Sequence, residues 1–100
     1  MKLVEIARVI RSKNAGPTTL TVDLMFNDFE GFERALSASS LSREAIAPLY
    51  ALRPEQVEVI SYPAALAIKI VMDRKVVAGD PGDRDVYGAQ QHAPFLGVEV

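Results

Sequence analysis

The sequence has no cysteine, no tryptophan and one histidine in 100 residues. Without thiolates, disulfides, zinc–thiolate sites and iron–sulfur clusters are excluded. A single histidine builds no ordinary zinc site unless another subunit adds ligands. Nor is there an excess of one charge: 11 basic side chains stand against 13 acidic ones, a net −2. The basic face that nucleic acid requires is therefore missing. No apolar run approaches the length of a membrane span, and Glu5, Arg8 and Arg11 break up the opening MKLVEIARVIRSK too often for a secretory h-region. Neither a phosphate-binding GxxxxGK[ST] nor a nucleophile-elbow GxSxG occurs, and the spacing of Asp80, Asp83 and Asp85 fails the EF-hand pattern. The expectation is a soluble cytoplasmic protein without metal or cofactor, binding neither nucleic acid nor membrane.

The residues that are present describe a small globular domain. Hydrophobic residues make up 49% and charged residues 24%, the balance of a chain that buries a core. One hundred residues and no linker or repeat give a single domain, 1–100. Leu3 to Ile10 is apolar on both faces of an extended chain and reads as a central strand. Asn14, Gly16 and Pro17 then mark RSKNAGPTT as a wide loop. LTVDLMF alternates, with Leu20, Val22, Leu24 and Phe26 on one side and Thr21, Asp23 and Met25 on the other.

Asn27 stands three residues before Glu30, resembling a capping box, and predicts a helix from Asp28 to Ala38 carrying Phe29, Phe32 and Leu36 at helical spacing. A second helix is expected from about Ser42, with Ile46 and Leu49 inward and Pro48 kinking or shortening it. VEVISY and ALAIKIVM are two more strands around Tyr62-Pro63, the second carrying Leu66, Ile68, Ile70 and Met72 on one face. Asp73 to Phe95 shows no period, and LGVEV closes the chain as an expected strand. The sum is an α+β two-layer sandwich, a mainly antiparallel sheet of four or five strands with two helices on one face, ferredoxin-like in its layering.

Three groups of side chains qualify for chemistry. Arg11, Ser12, Lys13 and Asn14 lie at a strand end, where backbone N–H groups near Gly16 can cradle an anion; a polar turn with solvated charges explains the same residues. Lys69 sits mid-strand among alanines and needs a partner or a wet cleft; Asp23, also mid-strand, is the natural candidate. Such a pair serves as a structural bridge or as a tuned acid and base. Finally, DVYGAQQHAP gathers Tyr87, Gln90, Gln91 and His92. His92 can act as acid or base; equally, the amides and imidazole can tie down backbone groups of a long segment.

IARVIRSKNAGP, LTVDLMF, ALAIK and above all DVYGAQQHAP resemble the small bacterial proteins of domain-of-unknown-function family 4387, over essentially the whole chain. The order of elements is also distantly similar to the C-terminal ferredoxin-fold domain of the acyclic-terpene-utilisation proteins. There the first loop reads like RSGDKGN, whereas this chain has RSKNAGP, with Gly16 followed by Pro17. The resemblance implies a small accessory subunit of a larger acyclic-terpene-utilisation-type protein, acting in branched acyl-CoA or small organic acid catabolism. A stand-alone small enzyme using His92 or Lys69, with Arg11 as anion clamp, is the alternative. Two structural expectations accompany these readings. The two polar segments should share one end of the sheet, with Gln90, Gln91 and His92 toward a cleft that includes Arg11 and Ser12. The sheet face bearing Met25, Ala65, Ala67 and Val71 is too apolar to stay wet and should drive self-association, most simply as a homodimer.

Overall fold

The computed structural model describes residues 1–74 and 91–100. Two β-hairpins flank a helical segment. β1 (Ala7–Asn14) and β2 (Thr19–Phe26) form the first hairpin, β3 (Val57–Tyr62) and β4 (Ala67–Asp73) the second. β2 and β4 meet in the middle, so the antiparallel four-stranded sheet has the order β1-β2-β4-β3. Between the hairpins run α2 (Phe29–Leu36) and α3 (Arg43–Ile46), preceded at the N-terminus by one turn, α1 (Leu3–Ile6). The expected α+β architecture is therefore present, with the helical layer joining two hairpins rather than two split β-α-β units.

The alternation in β2 and β4 decides which side is the core. Leu20, Val22, Leu24 and Phe26 of β2 and Ile68, Ile70 and Met72 of β4 are all buried against Phe32, Ala35, Ile46 and Phe95. Burying such a side chain stabilises by roughly 1.5–3 kcal/mol relative to exposure, so this face holds most of the fold's energy. Leu66 falls out of the alternation because it ends the β3–β4 turn in left-handed conformation, φ 49°.

Several local expectations are corrected. Leu3 to Ile10 is not a central strand: its first half is α1, and β1 is an edge strand. Its apolar residues are not covered on two sides: Val4 is exposed and Val9 lies on the face opposite the helices, while Leu3 is fully buried and donates its N–H to the Val98 carbonyl at 2.9 Å. A register shift between Ala7 and Val9 and the cations Arg8, Arg11 and Lys13 blunt this edge. The connection to β2 is a short turn, closed by Ala15 N–H donating to the Thr19 carbonyl at 2.9 Å, with Gly16 at φ 108°.

Pro48 ends α3 early, and a 3-10 turn over Ala47–Tyr50 turns Leu49 outward. LGVEV is no strand; a 3-10 turn, Ala93–Gly97, takes up its first half, and one bridge, Lys2 to Glu99, is all that pairs. Among the described residues no helix is long and apolar enough to cross a membrane.

α2 is shorter than expected and its cap is Asp28, not Asn27. The Asp28 carboxylate accepts from the Gly31 N–H at 2.7 Å, and a Cβ on Gly31 would lie 3.1 Å from that oxygen. Asp28→Ala is expected to cost about 1 kcal/mol in chemical denaturation. Asn27→Ala should stay within about 0.5 kcal/mol.

Candidate functional site

Register on the sheet decides where the polar side chains go. Directly paired residues share a face, so the pairs Arg11–Asp23, Asp23–Lys69 and Ile60–Lys69 form one row across all four strands, on the face opposite the helices. A second row on that face reads Lys13, Thr21, Val71, Glu58, and a third reads Val9, Met25, Ala67, Tyr62. Ser12 and Asn14 are one residue out of phase and lie on the helix-covered face, opposite Val22 and Leu20. RSKN is thus the end of a strand whose side chains part to two sides, not a loop converging on one anion.

At the centre of the open face Asp23 is 7% exposed although no described helix lies over it. Its cover comes from neighbouring side chains. Arg11 Nε donates to Asp23 Oδ2 at 3.3 Å. Lys69, its partner in register on the other side, forms no ion pair among the described residues and places Nζ 6.0 Å from the Tyr62 ring centre. The expected Asp23–Lys69 bridge within one chain is replaced by Arg11–Asp23.

A different set of residues surrounds a cleft of about 340 Å³ beside the turn end of the sheet, among them Leu20, Tyr50, Asp73, Arg74, Gln91 and Pro94. An adjoining hollow of about 450 Å³ brings Thr18, Gln56, Asp73 and Arg74 together. Local structure explains the convergence. β4 ends at Asp73, and the Arg74 N–H donates to the Thr18 carbonyl at 2.8 Å, fixing that strand end beside the β1–β2 turn. Gln56 Nε2 donates to Asp73 Oδ2 at 3.1 Å.

The chain returns at Gln91, whose carbonyl accepts from the Tyr50 hydroxyl. Phe95, fully buried, anchors the Ala93–Gly97 turn, with its ring centre 6.0 Å from that of Tyr50. His92 is half-buried at the head of that turn, its carbonyl accepting from Phe95 N–H at 2.9 Å.

Of the residues singled out from sequence, Gln91 reaches this cleft. Asn14 neighbours it through its β2 partner Leu20, so the end of RSKN and Gln91 lie near the same end of the sheet; the rest of the second polar segment, up to residue 90, lies outside the described residues. Arg11, Lys13, Asp23 and Lys69 are on the far side, and Ser12 is buried in the helix-facing layer. His92 stands at the head of the turn that carries the buried Phe95, whereas Lys69 lies on the sheet face opposite the helices. Tyr87 and Gln90 lie outside the described residues.

Arg74, 9% exposed, and Tyr50 are not legible as site residues in the sequence. The one signal is positional: Asp73-Arg74 opens the aperiodic stretch.

Burial pushes the Tyr50 phenol well above the ordinary tyrosine range. In the unfolded chain a tyrosine ionises near about pH 10, while the folded state holds its proton beyond that. Its stabilising contribution is therefore whole below about pH 10 and is lost as the pH rises further. Tyr50→Phe should flatten the alkaline fall in stability, and at neutral pH should cost about 1 kcal/mol for the lost bond to the Gln91 carbonyl. Urea midpoints for the two proteins between neutral and strongly alkaline pH measure both effects.

No curated protein and no solved structure matches the chain. One family model does, over residues 3–99, and its description is Domain of unknown function (DUF4387). Since that match takes in the strands, the helical layer and both sides of the cleft, the chain belongs to the DUF4387 family.

Proposed function

We propose that this protein is a small accessory subunit or binding module of the cytoplasm, not a self-sufficient enzyme. It docks a larger protein of the acyclic-terpene-utilisation type and helps hold a carboxylate- or CoA-bearing substrate at the shared boundary. The observation that carries the reading is the cleft at the turn end of the sheet. Arg74 supplies a cation there, Asp73 and Gln91 supply hydrogen-bonding groups, and Tyr50 holds Gln91 through its backbone. A guanidinium is suited to carboxylate and phosphate groups because its donors form a rigid fork. The cleft is shallow and built from chain turns, which suits completion by a second protein better than full enclosure of a ligand.

The resemblance to acyclic-terpene-utilisation proteins supplies the partner and the substrate class. Catalysis in the cleft by this chain alone would lack Lys69, Asp23 and Arg11, which stand on the open sheet face and do not line it.

The test is activity with and without the partner. The tagged full chain is purified alone and in complex with the protein it retains from its own cells, and both are assayed on branched acyl-CoA thioesters and small organic acids. The isolated chain should turn over none of them, and the complex should. Turnover by the isolated chain would overturn the proposal in favour of a small enzyme.

A further inference from the structure

From the open sheet face we infer a symmetric dimer in which two copies pack face to face about a twofold axis running along the strands. Such an axis lays β2 of one copy over β4 of the other and β1 over β3, with rows at the same level. The charges on the face then complement one another. Asp23 meets the second copy's Lys69, and Lys13 meets the second copy's Glu58, each pair occurring twice by symmetry. Between them lie Val9, Met25, Ile60, Tyr62, Ala67 and Val71, an apolar lining interrupted by Thr21 and Arg11, with Arg8 reaching Met25 from the β1 edge.

Within one copy Lys69 has Asp23 as its neighbour in register, yet the carboxylate is bonded to Arg11. The ammonium is left over the Tyr62 ring. Covering this face with an apolar partner would desolvate that ammonium without compensation. A second copy sets its Asp23 opposite that ammonium, so each carboxylate is shared between Arg11 of its own chain and Lys69 of the other. The β1 edge offers no equal alternative, since it carries a register shift and three cations.

Four strands about 4.8 Å apart and some 20 Å long present a plane on the order of 400 Å² per copy. Both copies together bury on the order of 800 Å², below the span of stable interfaces and within that of weak, transient ones. Dissociation in the micromolar range follows, with the ion pairs fixing orientation more than strength. Aligned sheets cross at about −30°, an offset at the outer strands within reach of lysine and glutamate side chains.

Lys13 and Glu58 are both exposed, outside the core and outside the proposed cleft, which makes them suitable probes. Lys13→Glu sets two carboxylates against each other at both ends of the interface, and Glu58→Lys sets two ammonium groups there. Sedimentation equilibrium should show the wild-type chain passing from 10.9 kDa to twice that mass with rising concentration. Each single variant should dissociate at least tenfold more readily. An equimolar mixture of the two variants should recover the dimer. In the mixed pair the carboxylate introduced in one chain faces the ammonium introduced in the other, and the native Glu58 and Lys13 face each other at the opposite end. A wild-type chain that stays monomeric, single variants that dimerise as the wild type does, or a mixture that fails to recover would each overturn the inference.

Discussion

Phe95→Ala is expected to lower the stability of the fold by about 3–5 kcal/mol, the range for removing a fully buried phenylalanine. The ring has no exposed surface and packs at 6.0 Å from the Tyr50 ring, within the same core as the inward faces of β2 and β4. Its removal leaves a cavity that neighbouring strands, already hydrogen-bonded on both sides, cannot collapse to fill. It also loosens the anchor of the segment that returns beside α1, where Leu3 donates to the Val98 carbonyl at 2.9 Å. Against a typical domain stability of about 5–15 kcal/mol this is a large fraction. Leu96, the next residue, is 46% exposed, and Leu96→Ala should move stability by no more than about 0.5 kcal/mol. Urea unfolding measures both, as a shift in midpoint at constant slope. A Phe95→Ala cost below about 1 kcal/mol would mean that the C-terminal turn is not part of the core.

Asp23→Lys should have the second largest effect. Asp23 lies between Arg11 and Lys69 in a single cross-strand row, so the substitution places three cations side by side. Like charges directly opposite in a sheet are destabilising, and Asp23 is too well covered for water to screen them fully. A loss of about 2–4 kcal/mol is expected at low ionic strength, with part of it regained as salt shortens the screening length. Asp23→Val is the control. It removes the carboxylate without adding a charge, Arg11 is already more than half exposed and turns to water, and valine favours a strand. Its cost should stay below about 1 kcal/mol. Thermal unfolding at two salt concentrations, with the chain dilute enough to be monomeric, separates the cases. Equal losses for the two variants would show that packing at Asp23, not charge, decides stability there.

The parts of the fold legible in the sequence are those where one face alone is apolar. β2 and β4 follow their alternation residue for residue, because the helical layer covers one side of both. β1 is misread from sequence because Val and Ile on both of its faces resemble a doubly covered strand. Local apolar density does not distinguish a central strand from an edge strand whose second face is left open. The closing LGVEV has strand composition, but Phe95 enters the core through a 3-10 turn and leaves too little chain to pair. For the site, the pattern singles out Asp23 and Lys69 correctly as mid-strand charges, and register makes them neighbours. Arg11 is the ionic partner through cross-strand pairing, which periodicity in one segment does not reveal. Tyr50 comes to the cleft from the 3-10 turn after α3 and Arg74 from just past the end of β4, where no periodic signal exists.

The central claim, that the turn-end cleft is where this subunit works, is tested most directly by its affinity for the retained partner. Titration calorimetry would compare the wild-type chain with Arg74→Gln and Gln91→Ala. The second variant keeps the Tyr50 tether, because that bond is made to the Gln91 backbone carbonyl. The expected result is one chain bound per partner site, with affinity at least tenfold lower for both variants while each keeps a cooperative thermal transition. Unchanged affinity in two folded variants, or a wild-type chain that binds no partner, would contradict it.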